Sequence, residues 1–229
     1  MRFLNKILEI GKYAFLFFFL ALIISILVCH YLSDAVPQTR DAISIDGNIM
    51  SINGNITKGL FEEISNSLDK NKISEVKISS NGGDSAFIDP IRNLFIEHNI
   101  NLINIPSGNT CQSACVGLLV PYQGIGVTVD NKSTLLFHGE LIRFGGESKC
   151  NFCMNLDKVA TFIFVHDTPI MQKFANEMMP ELGDKMASCK PNPFKEFGIS
   201  LLISGEYFNY IRKEGVSKFS CSKVQKIKS

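Results

Sequence analysis

Two spacings of apolar residues take turns along the middle of this chain. Ala42 to Ile52 alternates apolar and polar positions (Ile43 and Ile45, then Ile49 and Ile52), which predicts one or two strands turning at Asp46-Gly47-Asn48. Lys58–Asn71 carries Leu60, Phe61, Ile64 and Leu68 at helical spacing, with Thr57 placed to cap the helix. Val76–Ile78 predicts a short strand, and Ile88–His98 a helix with Ile91, Leu94 and Phe95 on one face. A strand over Ile100–Ile105 follows, then a polar, turn-prone run, a helix over Ala114–Val120, and strands ending at Val129 and His138. Strand and helix alternate, as in an α/β domain built from repeated strand–helix–strand units.

Beyond Gly139 the pattern loosens. Arg143 to Cys153 predicts a loop, and Asp157–Phe164 and Pro169–Met179 predict helices. Cys189-Lys190-Pro191-Asn192-Pro193 breaks the chain. A short apolar run, Ile199–Ile203, then leads to Ser204, the expected N-cap of a helix over Gly205–Glu214. The domain is therefore expected over residues 42–222, with 223–229 as a basic tail.

The N-terminus has a different pattern. Residues 1–12 carry Arg2, Lys6 and Lys12 against Glu9, and Ala14 to Cys29 then runs without a charge. Extended to Leu32, the apolar stretch reaches about 20 residues, the length that crosses a hydrocarbon core. Residues 13–32 are expected to form a transmembrane signal anchor, with 33–41 as a linker. A cleaved signal peptide shares this layout, but no small-x-small site precedes Ser33-Asp34-Ala35. A lipoprotein cysteine at Cys29 fits poorly behind bulky Ile26, Leu27 and Val28, and a buried core helix is the plainest alternative. Basic residues before the span place that end in the cytoplasm and the domain outside it, in a periplasm-like compartment.

Composition adds little to this. In 229 residues the net charge is +1, so nothing suggests a nucleic-acid footprint. Hydrophobic residues make up 45% and charged ones 20%, ordinary for a globular domain carrying one membrane segment. No repeat of solenoid period and no low-complexity tract is visible.

Candidate chemistry gathers at three strand ends. Gly108-Asn109-Thr110-Cys111-Gln112-Ser113-Ala114-Cys115 sets a serine at the expected start of a helix, where backbone N–H groups and the dipole can stabilise an anion. Ser80-Asn81-Gly82-Gly83-Asp84 ends an earlier strand, and Leu135-Leu136-Phe137-His138-Gly139 a later one. Taken alone, Ser113 is a plain N-cap, His138 a core histidine and Gly82-Gly83 a turn. Together they form a nucleophile, a base and a glycine pair, the parts of a serine hydrolase.

In this order and spacing the three motifs resemble the serine peptidases of the Clp proteolytic-subunit type, in the wider Clp/crotonase superfamily. The membrane-anchored or periplasmic relatives with a Cys-x-Ser-x-Cys nucleophile turn are the nearest in pattern. The resemblance runs from about Ile45 to Gly139 and, more weakly, over Leu201–Phe208. Asn81 stands where the family has proline. The resemblance implies an α/β fold of repeated β-β-α units and Ser113 as nucleophile, with His138 as base. Backbone amides of Gly83 and Ala114 would form the oxyanion hole. It also implies a polypeptide substrate, self-association into a homo-oligomer, and no metal or other cofactor. The family's third catalytic residue is an acid well after the histidine. Asp184 and Glu196 are candidates, whereas Glu140 is too near His138 along the chain. A Ser–His dyad and an inactive scaffold on the same fold remain as alternatives. Acyl-CoA chemistry of the crotonase kind would not need the serine.

Seven cysteines leave six outside the membrane segment, an even number suited to an oxidising compartment. Cys150 and Cys153 most simply form a local disulfide. A zinc site there would need two more ligands, for which Cys189 and His166 are the candidates. Cys111 and Cys115 flank Ser113 and brace its turn as buried thiols or in a disulfide. Cys189 and Cys221 could pair with each other or with these.

Overall fold

The computed structural model describes residues 42–121, 124–139, 170–196 and 199–228, and residues 17, 20, 21, 23 and 24 of the N-terminal stretch. The chain divides into two units, residues 1–37 with 141–166 and residues 38–140 with 167–229. In the first unit the five described residues are helical, and Phe17, Leu20, Ile23 and Ile24 are exposed. Among the described residues no helix is long and apolar enough to cross a membrane. The rest of the expected span, the linker, Glu140, Cys150, Cys153, the expected helix 157–164 and His166 lie outside the described residues.

Among the described residues the second unit holds nine strands in two sheets. Strands β1 (Ile43–Asp46) and β2 (Ile49–Asn53) form an antiparallel hairpin around Gly47 and Asn48, with Gly47 at φ 58° as a two-residue turn requires. β3 (Glu75–Ser79), β4 (Leu102–Ile105) and β6 (Gly126–Val129) then add in parallel, giving the order β1-β2-β3-β4-β6. The other sheet has the order β5-β7-β8-β9, from Thr110–Gln112, Thr134–His138, Ile199–Ser204 and Gln225–Lys228.

Successive strands are dealt alternately to the two sheets: β4 then β5, β6 then β7. The two crossings stack on each other. Asp130 N–H donates to the Ile105 carbonyl and Thr134 N–H to that of Asn109. Ser133, almost wholly buried, donates its hydroxyl to the carbonyl of Pro106 at 2.6 Å. A buried hydroxyl without such an acceptor would be a net loss. This is the mixed α/β architecture expected.

Helix α1 (Lys58–Lys70) begins where Thr57 Oγ1 accepts from Leu60 N–H, and it buries Leu60, Ile64 and Leu68. Helix α2 (Ile88–Glu97) buries Ile88, Ile91 and Phe95. Helix α3 (Ala114–Gly117) is one turn long, shorter than the apolar run to Val120 suggested. Residues 118–120 are just as buried but are held by a further turn, Leu118 N–H to Cys115 O and Leu119 N–H to Val116 O. Helices α4 (Ile170–Met178) and α5 (Leu182–Ala187) follow, and α6 (Gly205–Glu214) starts at Ser204, whose hydroxyl accepts from Tyr207 N–H. One continuous core joins Met50, Ile78 and Ile105 of the first sheet with Leu135, Phe137 and Leu201 of the second.

The basic C-terminal run is not a tail over most of its length. Gln225–Lys228 pairs antiparallel with β8, and the Cys189–Cys221 disulfide ties the approach to β9 to the end of α5. Alternate lysines hid this strand, because an edge strand tolerates charge on its open face. Ser204→Ala is expected to lower stability by about 1 kcal/mol through loss of the α6 cap. Thermal denaturation followed by circular dichroism would register it as a lower midpoint without loss of helix signal from the native state.

Candidate active site

The segment Ser80–Asp84 is where the two sheets meet. Ser80 extends β3 but pairs with β5: its N–H donates to Thr110 O, and its carbonyl accepts from Gln112 N–H. Two residues on, the chain turns to the other side. The Gly82 carbonyl accepts from Ile56 N–H at 2.7 Å, and Asp84 N–H donates to Ile56 O at 2.8 Å. Strand alternation then points the Gly83 N–H away from Ile56. Gly82 and Gly83 have φ of 96° and 141°, which side chains resist. A Cβ on Gly82 would stand 2.6 Å from Ser113 Cβ and 2.7 Å from Gln112 O, so the bare backbone is what lets these two turns touch. Ser80, buried, accepts Gly82 N–H on its hydroxyl at 3.1 Å. The serine two residues ahead of a glycine is the sequence sign of this turn, and its holding role is one the motif alone did not reveal.

Ser113 follows β5, a strand that the hydropathy pattern did not predict. Thr110–Gln112 was hidden because Cys111 is its one buried residue, too short an alternation to detect. Ser113 itself sits at φ 52°, ψ −126°. For a residue with a Cβ such a backbone costs on the order of 1–3 kcal/mol and persists only when its surroundings impose it. Its N–H donates to Leu136 O of β7 at 2.9 Å, and its hydroxyl makes no capping bond to α3. Helix α3 is too short for a developed macrodipole, so anion stabilisation here would rest on local N–H groups, Ala114 N–H among them. Packing fixes α3 from behind. A Cβ on Gly117 would lie 2.7 Å from the Phe174 ring of α4 and 2.9 Å from Ile88.

His138 ends β7, the strand to which β5 pairs in parallel with Gln112 opposite Leu136. Ser113 and His138 therefore leave neighbouring strands at the same edge of the same sheet. Leu135 and Phe137 are buried and His138 is half-buried, on the alternate face of the strand. Its Nδ1 lies 2.5 Å from the Gly139 carbonyl, and a carbonyl only accepts, so a hydrogen bond here requires the ring proton on Nδ1. In that tautomer Nε2 carries the lone pair that a general base needs. Gly139 is itself pressed against the segment before β8, where a Cβ would come 2.7 Å from Phe194 O.

The acids proposed from sequence are engaged elsewhere. Asp184, exposed on α5, accepts from Gln172 Nε2 at 2.9 Å and Asn176 Nδ2 at 3.2 Å. These bonds to the charged form hold its carboxyl below the ordinary value, the Gln172 bond foremost. Glu196 accepts from Asn192 N–H at 2.8 Å and closes a local turn. Asp184 thus ties α5 to α4, and Glu196 ties only its own turn. Cys189 is bonded to Cys221, which removes it as a zinc ligand, and Cys111 to Cys115, which closes a loop around Ser113.

Because the folded-state pKa of Asp184 is depressed, its bonds stabilise the fold above the ordinary carboxylate range and lose that effect as pH falls through the folded value. Asp184→Asn is therefore expected to lower the denaturation midpoint slightly at pH 7, with the difference from wild type disappearing at strongly acid pH. Urea melts at both pH values check this.

No family model matches the chain, and no curated protein matches it. Among solved structures, a single-residue variant of ClpP1 from Listeria monocytogenes is similar over 74% of this chain and 88% of its own, with a TM-score of 0.45 and 14% sequence identity.

Proposed function

We propose that this chain is a membrane-anchored serine peptidase acting on polypeptides outside the cytoplasm. Its nucleophile is Ser113 and its general base His138. The observation that carries the reading is the backbone of Ser113, a non-glycine residue at φ 52° between a glycine pair and the histidine-bearing strand. Strain of this kind gathers at functional sites. A plain N-cap serine would sit in extended backbone and bond to its helix, as Ser204 does. The order of the motifs, which resembles that of the Clp-type peptidases, supports the same reaction class and a homo-oligomer.

In this reaction Ser113 Oγ attacks the peptide carbonyl as its proton passes to His138 Nε2. The oxyanion is held by Gly83 N–H and Ala114 N–H. The proton then goes to the departing amine, and water, activated by the same imidazole, hydrolyses the acyl-enzyme. The Gly139 carbonyl keeps the ring in the tautomer that leaves Nε2 to accept. These steps are carried by the chain's own groups. A second reading, a binding module that has kept the fold without the chemistry, draws on Asp184 and Glu196 both being held elsewhere.

Labelling of the full chain with a fluorophosphonate probe decides between them. Wild type is expected to label, and Ser113→Ala and His138→Ala to lose labelling. Gly82→Ala, which drives a Cβ onto the serine turn, is expected to label roughly a hundredfold more slowly, the scale of a small misplacement of reacting groups. Folded wild-type protein that does not label sinks the peptidase reading and leaves the binding module.

A further inference from the structure

Ser113 is held upstream by hydrogen bonds, and downstream by the packing of α3 and by a covalent bond. Upstream, Thr110 and Gln112 are tied to Ser80, and Ser113 N–H is tied to Leu136 O. Immediately downstream stands the four-residue α3, too short to be stable by itself. What ties this short helix covalently to β5, beyond its packing on Phe174 and Ile88, is the Cys111–Cys115 disulfide, whose Cα atoms stand 5.3 Å apart. An extended chain would separate them by roughly 13 Å over four steps. The residues between, Gln112, Ser113 and Ala114, must therefore reverse direction within three positions. Both cysteines are fully buried beneath the turn, while Gly82 presses on Ser113 from another side.

We infer that the Cys111–Cys115 disulfide is a positioning device that imposes the left-handed backbone of Ser113, so that the reactive serine conformation and the oxidised state of this cysteine pair are energetically coupled. The reactivity half of this inference rests on the serine peptidase reading, while the backbone half does not. Opening the disulfide leaves α3 packed against Phe174 and Ile88 but removes the closure between β5 and α3, and Ser113 relaxes toward a negative φ. The Ser113 side chain and the Ala114 N–H then leave the positions they hold beside Gly82. Cys111 and Cys115 act through Ser113 without touching substrate.

A comparison of glycine with alanine at residue 113 tests the coupling without relying on catalysis. Glycine accepts φ 52° freely and alanine does not. With the disulfide intact, Ser113→Gly should melt about 3 °C above Ser113→Ala. In a Cys111→Ala/Cys115→Ala background that advantage should vanish or reverse, because the relaxed turn no longer needs glycine. A glycine advantage that is absent with the disulfide intact, or that survives its removal, overturns the inference. Should the disulfide-free chain not fold, the same coupling is read from the other side. In a graded dithiothreitol redox buffer, with alkylation and mass spectrometry reporting the pair, Cys111–Cys115 should be reduced more readily in Ser113→Ala than in Ser113→Gly. Equal reduction of the two overturns it. Alongside, Cys111→Ala/Cys115→Ala with Ser113 retained should label with fluorophosphonate about a hundredfold more slowly while its circular dichroism stays native. Wild-type labelling reports on the peptidase reading separately, so failure of that reading and failure of the coupling give different results.

Discussion

The backbone of Ser80–Asp84 cannot serve one partner throughout. It begins as the continuation of β3, gives the hydrogen bonds of Ser80 to β5, and within two residues turns its carbonyl and N–H groups to Ile56. Changing sides so abruptly requires two consecutive residues at positive φ, and only a bare backbone at Gly82 lets the neighbouring serine turn come within contact. Much of the site depends on this hand-over. It joins the two sheets at the edge where Ser113 and His138 emerge, and it turns the peptide N–H of Gly83 away from Ile56.

Around that junction the structure arranges the remaining groups by packing. Phe174 of α4 and Ile88 of α2 close on Gly117 and fix the short helix behind Ser113. The pairing of β5 with β7 sets Ser113 beside the residues that precede His138. The segment entering β8 presses on Gly139, whose carbonyl stands against Nδ1 of the imidazole. Each catalytic candidate is thus placed by a different part of the chain. The Cys111–Cys115 disulfide acts only on the local turn, whereas Cys189–Cys221 fastens the outermost strand, far along the chain, to the helix pair α4–α5.

Asp184 is a useful contrast. It lies at the right distance in sequence for a histidine-orienting acid, yet its carboxylate is occupied by Gln172 and Asn176, and it fastens α5 to α4. Sequence distance could not distinguish these roles, because both need a carboxylate after the histidine and before the last helix. Glu196 likewise closes its own turn.

Periodicity alone determined most of the elements: the Gly47 hairpin, α1 with its Thr57 cap, α2, the strand ending at His138, and α6 behind Ser204. Those features are local, written in caps, turns and spacings a few residues apart. The three strand-end motifs were legible for the same reason. What the sequence could not express was pairing between distant segments. β5 and β9 are strands only because β7 and β8 lie beside them, since three residues around a cysteine and four around alternating lysines carry no signal of their own. The length of α3, the partners of the four described cysteines, and the positive φ of Ser113 were likewise decided in three dimensions, where burial and covalent closure outweigh local preference.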